Sequence, residues 1–122
     1  MRIERELMRG AGPVAVLKLL ERGEMYGYEL VEALLERTDG VLSVGQSTLY
    51  PMLYNLEAKG LVTGRWREGD NGRGRKYYAL TAKGKKRLAA DMEQWNAISQ
   101  AMTALGVIAA PGGAGGARRA LA

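Results

Sequence analysis

Apolar residues recur every three or four positions along the first 37 residues, which is the spacing of amphipathic helices. The pattern predicts a short lead-in helix over residues 2–9. A further helix is predicted to begin at Pro13 and to run to Gly23, because proline suits a first helical position and glycine a C-terminal stop. A second helix is predicted over Tyr26–Arg37. The following Val41–Val44 is β-prone and short, so it is either a small strand or a loop.

A third apolar stripe lies in STLYPMLYNLEAKGL (Ser47–Leu61) and consists of Leu49, Met52, Leu53 and Leu56. This stripe predicts a helix that ends at Lys59 and Gly60. Pro51 interrupts it, and proline in a helix interior costs about 3 kcal/mol. If Ser47 or Thr48 caps the helix, Pro51 falls in or just beyond the first turn, where at most one intrahelical hydrogen bond is lost.

The period changes after residue 60, where two short runs flank a glycine-rich segment. We expect strands over Leu61–Arg67 and Arg75–Thr81, with Glu68–Gly74 as the tip of the hairpin. Thr81 is a good N-cap for a last helix over Ala82–Leu105. Residues 106–122 are rich in glycine and alanine, and we expect a disordered tail there.

Three helices followed by a hairpin are the order of a winged helix-turn-helix, an architecture that places one helix in the DNA major groove. The predicted fold class is therefore α+β and mostly helical. Residues 1–81 would form the DNA-binding domain with its lead-in helix, and residues 82–105 would form a separate long C-terminal helix.

Composition narrows the function classes for this chain of 122 residues, which suits one small domain. The chain has no Cys and no His, which excludes disulfides, thiolate or imidazole metal sites and His-dependent catalytic triads. The charged start is not a signal peptide, and no apolar run approaches the ~20 residues of a membrane span. We expect a cytoplasmic protein without a membrane partner.

The net charge of +5 is concentrated in one block. Residues 1–58 hold six basic and nine acidic side chains, whereas residues 59–87 hold ten basic and two acidic ones. A block of one sign often is only a solvated face. Inside a folded domain it favours a polyanionic partner, nucleic acid before membrane.

The polar face of the third predicted helix carries no carboxylate until Glu57 at its flank. Hydroxyl groups there can donate to phosphates, and tyrosines can pack on sugars or thymine methyls. Alternatively, the two tyrosines only pack against a neighbouring element. The candidate DNA-binding residues on this face are Ser47, Thr48, Tyr50, Pro51 and Tyr54.

The predicted hairpin adds Arg73, Arg75 and Lys76 around its glycine-rich tip, with Arg65 and Arg67 on the partner strand. Glycine lets a loop approach a groove closely, and arginine suits a narrow minor groove. The alternative is an ordinary hairpin that is basic for solubility.

Three motifs in order make the chain similar to the PadR family of transcription regulators. They are GEMYGYEL (Gly23–Leu30), GQSTLYPMLYNLEAKGLVTGRW (Gly45–Trp66) and GRGRKYYALTAKGKKRL (Gly72–Leu88). The short length and single C-terminal helix resemble the compact subgroup that includes the lactococcal multidrug-binding regulator.

The resemblance implies a homodimer held mainly by the last helix, and repression from a palindromic operator in double-stranded DNA. It places Tyr26 and Tyr28 near the DNA backbone at the start of the second helix. The two recognition helices of a dimer would lie about 34 Å apart along the DNA.

Trp95 occupies the position at which the multidrug-binding member stacks planar ligands in a pore between subunits. An indole is a good stacking surface for aromatic cations, and methionine adapts to varied ligands. The expected effector is small, planar and hydrophobic; the alternative is that Trp95 belongs to the dimer core. The candidate ligand-binding residues are Met8, Ala11, Met92, Trp95, Ser99 and Met102.

Other function classes have less support. A winged helix that binds protein through its long helix, without an effector, is the main alternative to a DNA-binding repressor. Carboxylates alone would have to serve a metal-responsive form, and none are suitably spaced. No nucleophile–base pair or paired acid site is visible, so we expect neither an enzyme nor a bound cofactor.

Overall fold

A computed structural model describes residues 1–69 and 72–110, which form four helices and one three-stranded antiparallel sheet. The sheet has the strand order β1-β3-β2. The predicted winged helix-turn-helix with a long C-terminal helix is confirmed. The elements are α1 (Arg5–Leu20), β1 (Met25–Tyr26), α2 (Gly27–Arg37), α3 (Gln46–Ala58), β2 (Val62–Glu68), β3 (Gly74–Leu80) and α4 (Ala82–Leu105).

The first helix is longer than predicted, because α1 continues through Pro13 instead of beginning there. Proline removes only the hydrogen bond to the carbonyl four residues earlier. That carbonyl belongs to Arg9, which is exposed and can be hydrated. Met8 before the proline and Leu17 after it pack on the same core, so a continuous helix buries both.

The start of α2 differs from the prediction by a short strand. Met25 and Tyr26 form β1, which pairs with Tyr78 and Tyr77 of β3, so the helix begins only at Gly27. Two residues are too few to show a period-2 pattern in the sequence. The Tyr26 N–H donates to Glu29 Oε1 at 3.0 Å and stabilises the first turn. Between α2 and α3, Val41–Val44 is a loop rather than a strand.

The third helix begins at Gln46 after Gly45, and neither Ser47 nor Thr48 caps it as predicted. The Leu49 N–H donates to the Gly45 carbonyl at 3.0 Å, which closes the first turn. Pro51 consequently lies in the second turn. A proline at this position removes one hydrogen bond, to the carbonyl of exposed Ser47.

Helices α1–α3, the sheet and the first turns of α4 bury one core in the unit Met1–Ala89. The methionine side chain of Met52 lies over Gly12, where a Cβ would be 2.6 Å from its methyl carbon, so α1 and α3 approach closely. The buried residues are Val16, Leu17, Leu19, Leu20, Leu30, Leu34, Val44, Leu49, Leu53, Leu56, Leu61, Val62, Tyr78 and Leu88.

The β2–β3 hairpin and α4 follow the prediction closely. The ladder runs from Val62 opposite Leu80 to Glu68 opposite Gly74. Asp70 and Asn71 of the predicted tip lie outside the described residues, as does the predicted tail from residue 111 onward. Thr81 caps α4, since its Oγ1 accepts the Gly84 N–H at 2.9 Å. The residues from Ala90 onward belong to a second unit, and the predicted boundary between residues 81 and 82 stays a prediction.

Candidate nucleic-acid interface

The exposed face of α3 carries the residues that the sequence nominated. Ser47, Thr48 and Pro51 are exposed, and the first turn has no acidic residue. Tyr54 is 73% exposed and Tyr50 is 44% exposed. The opposite side is held by buried Leu49, Leu53 and Leu56. Because the apolar stripe is buried, the opposite face of α3 presents a hydroxyl-rich, uncharged surface to the solvent.

The two tyrosines on this face have different surroundings. Part of the Tyr50 ring packs on the start of α2, because a Cβ at Gly27 would lie 2.5 Å from the Tyr50 hydroxyl oxygen. The alternative interpretation, that these tyrosines pack against a neighbouring element, thus holds for part of the Tyr50 ring. Tyr54 keeps most of its surface exposed.

Aromatic rings and guanidinium groups alternate on one face of the sheet. The Tyr26 and Tyr77 rings meet edge to face with centroids 5.4 Å apart. Arg75 places its guanidinium carbon 4.6 Å from the Tyr26 centroid, and Arg67 places its own 4.0 Å from the Tyr77 centroid. Cation–π stacking orients these guanidinium groups while leaving their edges able to donate. The structure thereby brings together two predicted DNA-binding residues, Tyr26 and Arg75. Tyr28 lies apart from them, half-exposed in the first turn of α2.

Glu24 is an ion-pair partner of the hairpin arginines that the sequence did not predict. Its carboxylate forms ion pairs with Arg67 and, at 3.7 Å, with Arg65. Both arginines lie more than 40 positions away along the chain, so no local spacing rule reveals the contact. Part of the positive charge counted in the basic block is therefore balanced within the fold.

Lys76 has a partner on α3. Its Nζ donates to Glu57 Oε1 at 3.0 Å, and Glu57 Oε2 accepts the Gly64 N–H at 3.1 Å. The hydrogen bond from Lys76, aided by that from Gly64, lowers the pKa of Glu57, although burial opposes the shift. The same pair raises the pKa of Lys76. A role of Lys76 in DNA binding stays a prediction, and its charge is shared with Glu57.

Trp66 is the second residue that the sequence did not nominate. It is 69% exposed, although an indole ring is costly to leave in water. Its ring lies over Gly74, where a Cβ would be 3.5 Å away. Together with Tyr50 of α3 it borders a groove of about 440 Å³. The groove is lined by Tyr26, Gly27, Tyr50, Trp66, Gly74, Arg75, Lys76 and Tyr78.

Burial raises the pKa of Tyr78, a buried tyrosine that lines this groove. Its phenol therefore stays neutral across the physiological range.

Within residues 1–69 and 72–110, no group of three acidic side chains is placed to hold a metal ion. The helices of this part of the chain also include none that is long and apolar enough to cross a membrane.

Arg73 is exposed at the end of the hairpin, and its carbonyl accepts the Gly69 N–H at 2.6 Å. This hydrogen bond holds Gly69 and Arg73 close together at the end of the hairpin. The predicted contact between Arg73 and DNA stays a prediction.

The second half of α4 presents an apolar stripe. Its exposed fractions range from 37% to 77% over Met92, Trp95, Ile98, Met102 and Leu105. Of the predicted ligand-binding residues, four lie in the unit from Ala90 onward: Met92, Trp95, Ser99 and Met102. Met8 and Ala11 lie in the unit Met1–Ala89. The pore that would combine the two groups stays a prediction.

Residues 16–90 match the transcriptional regulator PadR-like family. The chain belongs to this family. Its members are transcriptional regulators and not enzymes. The three motifs that suggested the resemblance, from GEMYGYEL to GRGRKYYALTAKGKKRL, end at position 88 and lie entirely within the matched region.

Several transcriptional regulators are similar to this chain. Transcriptional regulator YqjI of Escherichia coli (strain K12) is 33% identical over 91 residues, which are 75% of this chain and 42% of YqjI. A PadR family regulator from Eggerthella lenta is 35% identical and has a TM-score of 0.72, covering 82% of this chain and 85% of that one.

Bacillus subtilis PadR has been solved in complex with operator DNA. It is 32% identical and has a TM-score of 0.62, with coverage of 68% of this chain and 46% of that one. More than half of that chain therefore has no counterpart here.

Proposed function

We propose that this PadR-like regulator binds double-stranded DNA with α3 in the major groove and the β2–β3 hairpin on the adjacent backbone. The observation that carries the proposal is the uncharged, hydroxyl-rich face of α3 beside a basic hairpin. The complex of Bacillus subtilis PadR with operator DNA supports the same partner. A helix of 13 residues is about 20 Å long and fits a major groove about 12 Å wide.

Side chains on α3 divide into two roles. Ser47 and Thr48 at its N-terminal end would donate to phosphates, helped by the partial positive charge of the helix terminus. Tyr54 is the more exposed of the two tyrosines and would contact base edges, with Pro51 as a rigid apolar surface beside it. Tyr50, whose ring rests partly on α2, would contact the sugar–phosphate backbone.

The hairpin and the start of α2 would bind the backbone without reading sequence. Arg75 is oriented by the Tyr26 ring, so less conformational freedom is lost when its guanidinium meets a phosphate. Arg73 lies nearer the tip, where glycines permit close approach to a minor groove. Tyr28 would donate its hydroxyl to a phosphate at the start of α2.

The apolar stripe on the second half of α4 supports a homodimer. Exposed apolar patches of this kind mark interaction surfaces, and Trp95, Ile98 and Met102 follow the three- and four-residue spacing of paired helices. Two copies would read a palindromic operator with recognition helices about 34 Å apart. Binding at a promoter would repress transcription by excluding the polymerase.

Release by a small planar hydrophobic ligand is the regulatory part of the proposal. Trp95 is 43% exposed and offers an indole face, with Met92 and Ser99 on the same helix. If Trp95 serves the dimer core instead, titration with planar aromatic cations will leave its fluorescence unquenched.

Fluorescence anisotropy with duplexes from the gene's own promoter tests DNA binding. We expect affinity to fall steeply between 50 and 200 mM salt, because phosphate binding releases counterions. A protein-interaction module would show no affinity for these duplexes even at low salt, and that result would refute the proposal.

Light scattering tests the dimer. Ile98→Glu should yield a monomer, because it places a charge in the apolar stripe. Gln100→Glu adds the same charge on another side of the same helix and should leave the dimer intact. A monomeric wild-type protein would contradict this part of the proposal.

A further inference from the structure

Two surfaces on separate elements must meet one duplex if the proposed function holds. The α3 face and the hairpin are joined along the chain by Lys59, Gly60 and Leu61. Strands advance about 3.4 Å per residue, so Glu68 lies about 14 Å beyond Gly64. A rotation of the hairpin by about 10° at its root would move this end by about 2 Å, enough to lose a hydrogen bond to a phosphate.

One carboxylate holds the root of the hairpin against α3. Glu57, in the last turn of α3, accepts the Gly64 N–H of β2 and the Lys76 ammonium of β3 on its two oxygens, at 3.1 and 3.0 Å. It therefore contacts both strands of the hairpin. Its side chain and that of Lys76 are 31% and 28% exposed, so the pair is partly shielded from solvent.

The neighbouring residues fit this arrangement. A Cβ at Gly64 would lie 2.3 Å from Lys76 Cε and 3.2 Å from Glu57 Oε2. Glycine at this position thus leaves the space in which the lysine stem crosses β2 to reach α3. The Lys76 Nζ also lies 5.4 Å from the centroid of buried Tyr78.

We propose that Glu57 is a positioning residue that sets the orientation of the hairpin relative to α3, so that Tyr54 and Arg75 engage the same DNA together. The inference rests on the proposed DNA-binding function for its consequence, but not for its geometry. Glu57 itself would not touch DNA. Its negative charge taken alone would weaken DNA binding, so its removal separates positioning from electrostatics.

The binding test compares Glu57→Gln and Glu57→Ala with Glu32→Gln, which removes an equal charge from an exposed position on α2. Charge alone predicts that all three variants bind promoter DNA as tightly as the wild type or more tightly. Positioning predicts that Glu57→Gln weakens binding three- to tenfold and Glu57→Ala weakens it further, with Glu32→Gln unaffected. Equal affinities for the Glu57 and Glu32 variants would overturn the proposal.

A double-mutant cycle gives a readout that loss of stability would not produce. Arg75→Ala should cost less affinity in the Glu57→Ala background than in the wild type, because a misplaced hairpin has already lost that contact. Additive losses would count against positioning. Urea titration of each variant checks that the folded fraction is unchanged at the assay temperature.

A measurement without DNA separates this inference from the proposed function. Residual dipolar couplings of backbone amides report the orientation of the hairpin relative to α3. Glu57→Ala and Lys76→Met should each change this relative orientation while the couplings within each element still fit its own geometry. If the wild type binds no DNA, the proposed function fails and these couplings still decide whether Glu57 positions the hairpin. Unchanged couplings in both variants would overturn the inference.

Discussion

The α3 helix and the β2–β3 hairpin place their exposed side chains by different physical means. Buried Leu49, Leu53 and Leu56 fix the rotation of α3, so the identity of its outer residues has little influence on where they lie. The hairpin beyond Gly64 buries little. Its basic groups are instead held by rings and carboxylates, as Arg75 is by Tyr26 and Lys76 by Glu57.

The two surfaces should therefore respond to mutation in opposite ways. Exchange of Tyr54, which is mostly exposed, should cost little stability, whereas exchange of the leucines buried beneath it should cost much more. Basic residues of the hairpin pair with two acidic residues from outside it, Arg67 with Glu24 and Lys76 with Glu57.

The largest effect is expected from the core beneath α3. Leu53→Ala should lower the free energy of unfolding by about 2–5 kcal/mol, because a fully buried leucine loses its contacts and leaves a cavity. Urea denaturation measures the loss. Leu35→Ala, at an exposed position of α2, is the matched control and should lower the free energy of unfolding by under about 1 kcal/mol. Similar losses for both leucines would contradict the view that the core sets the α3 surface.

The next effect concerns the hairpin. Arg73→Ala combined with Arg75→Ala should weaken binding to every DNA sequence and lower the salt slope by up to about two, since each phosphate contact contributes about 0.9. Anisotropy titrations at several salt concentrations measure both quantities. Arg22→Ala combined with Arg37→Ala removes the same charge away from the hairpin. An equal change of slope in that control would mean that total charge, not the hairpin, drives binding.

A smaller effect, confined to specificity, is expected from α3. Tyr54→Ala should reduce the preference for operator over unrelated DNA by about 1 kcal/mol, roughly fivefold, without altering the salt slope. Tyr54→Phe, which removes only the hydroxyl, separates hydrogen bonding from packing. Competition titrations with operator and scrambled duplexes measure the preference. An equal loss of affinity for both duplexes would mean that Tyr54 contacts the DNA backbone, which is the role proposed for the hairpin.

The smallest effect is the pH dependence of the Glu57 pair. The folded-state pKa of Glu57 is lowered from its ordinary 4.5 by Lys76 and Gly64, so the unfolded chain binds more protons in the window below 4.5. The stabilisation is complete above pH 4.5 and is lost as the pH falls through the lowered value. Stability curves of wild type and Glu57→Gln should therefore converge in acid. A constant gap down to pH 2 would show that the carboxylate charge is not involved.

Much of the fold follows from local rules that the sequence displays. The apolar stripe of α3, the glycine-rich turn of the hairpin and the Thr81 cap predicted α3, β2, β3 and α4 closely, and α4 to the residue. Rules of this kind work because backbone hydrogen bonds and caps join residues a few positions apart.

The candidate site was predicted only in part. The sequence alone indicated which residues α3 would expose, because helical periodicity determines that face. It did not indicate that Tyr50 rests on Gly27, or that Trp66 borders a groove with it. Those placements depend on how α2, α3 and the hairpin pack, which no short segment encodes.

The order of elements, the exposed face of α3 and the basic character of residues 59–87 can all be predicted from the sequence. Packing between elements accounts for the continuation of α1 through Pro13, the pairing of Met25 and Tyr26 with β3, and the ion pairs by which Glu24 and Glu57 neutralise part of the basic block. Local sequence rules miss the strand pairing and the ion pairs because their partners lie far apart along the chain. Glu57 and Lys76 are 19 positions apart, and only the packing of α3 against the sheet brings their charges within hydrogen-bonding range.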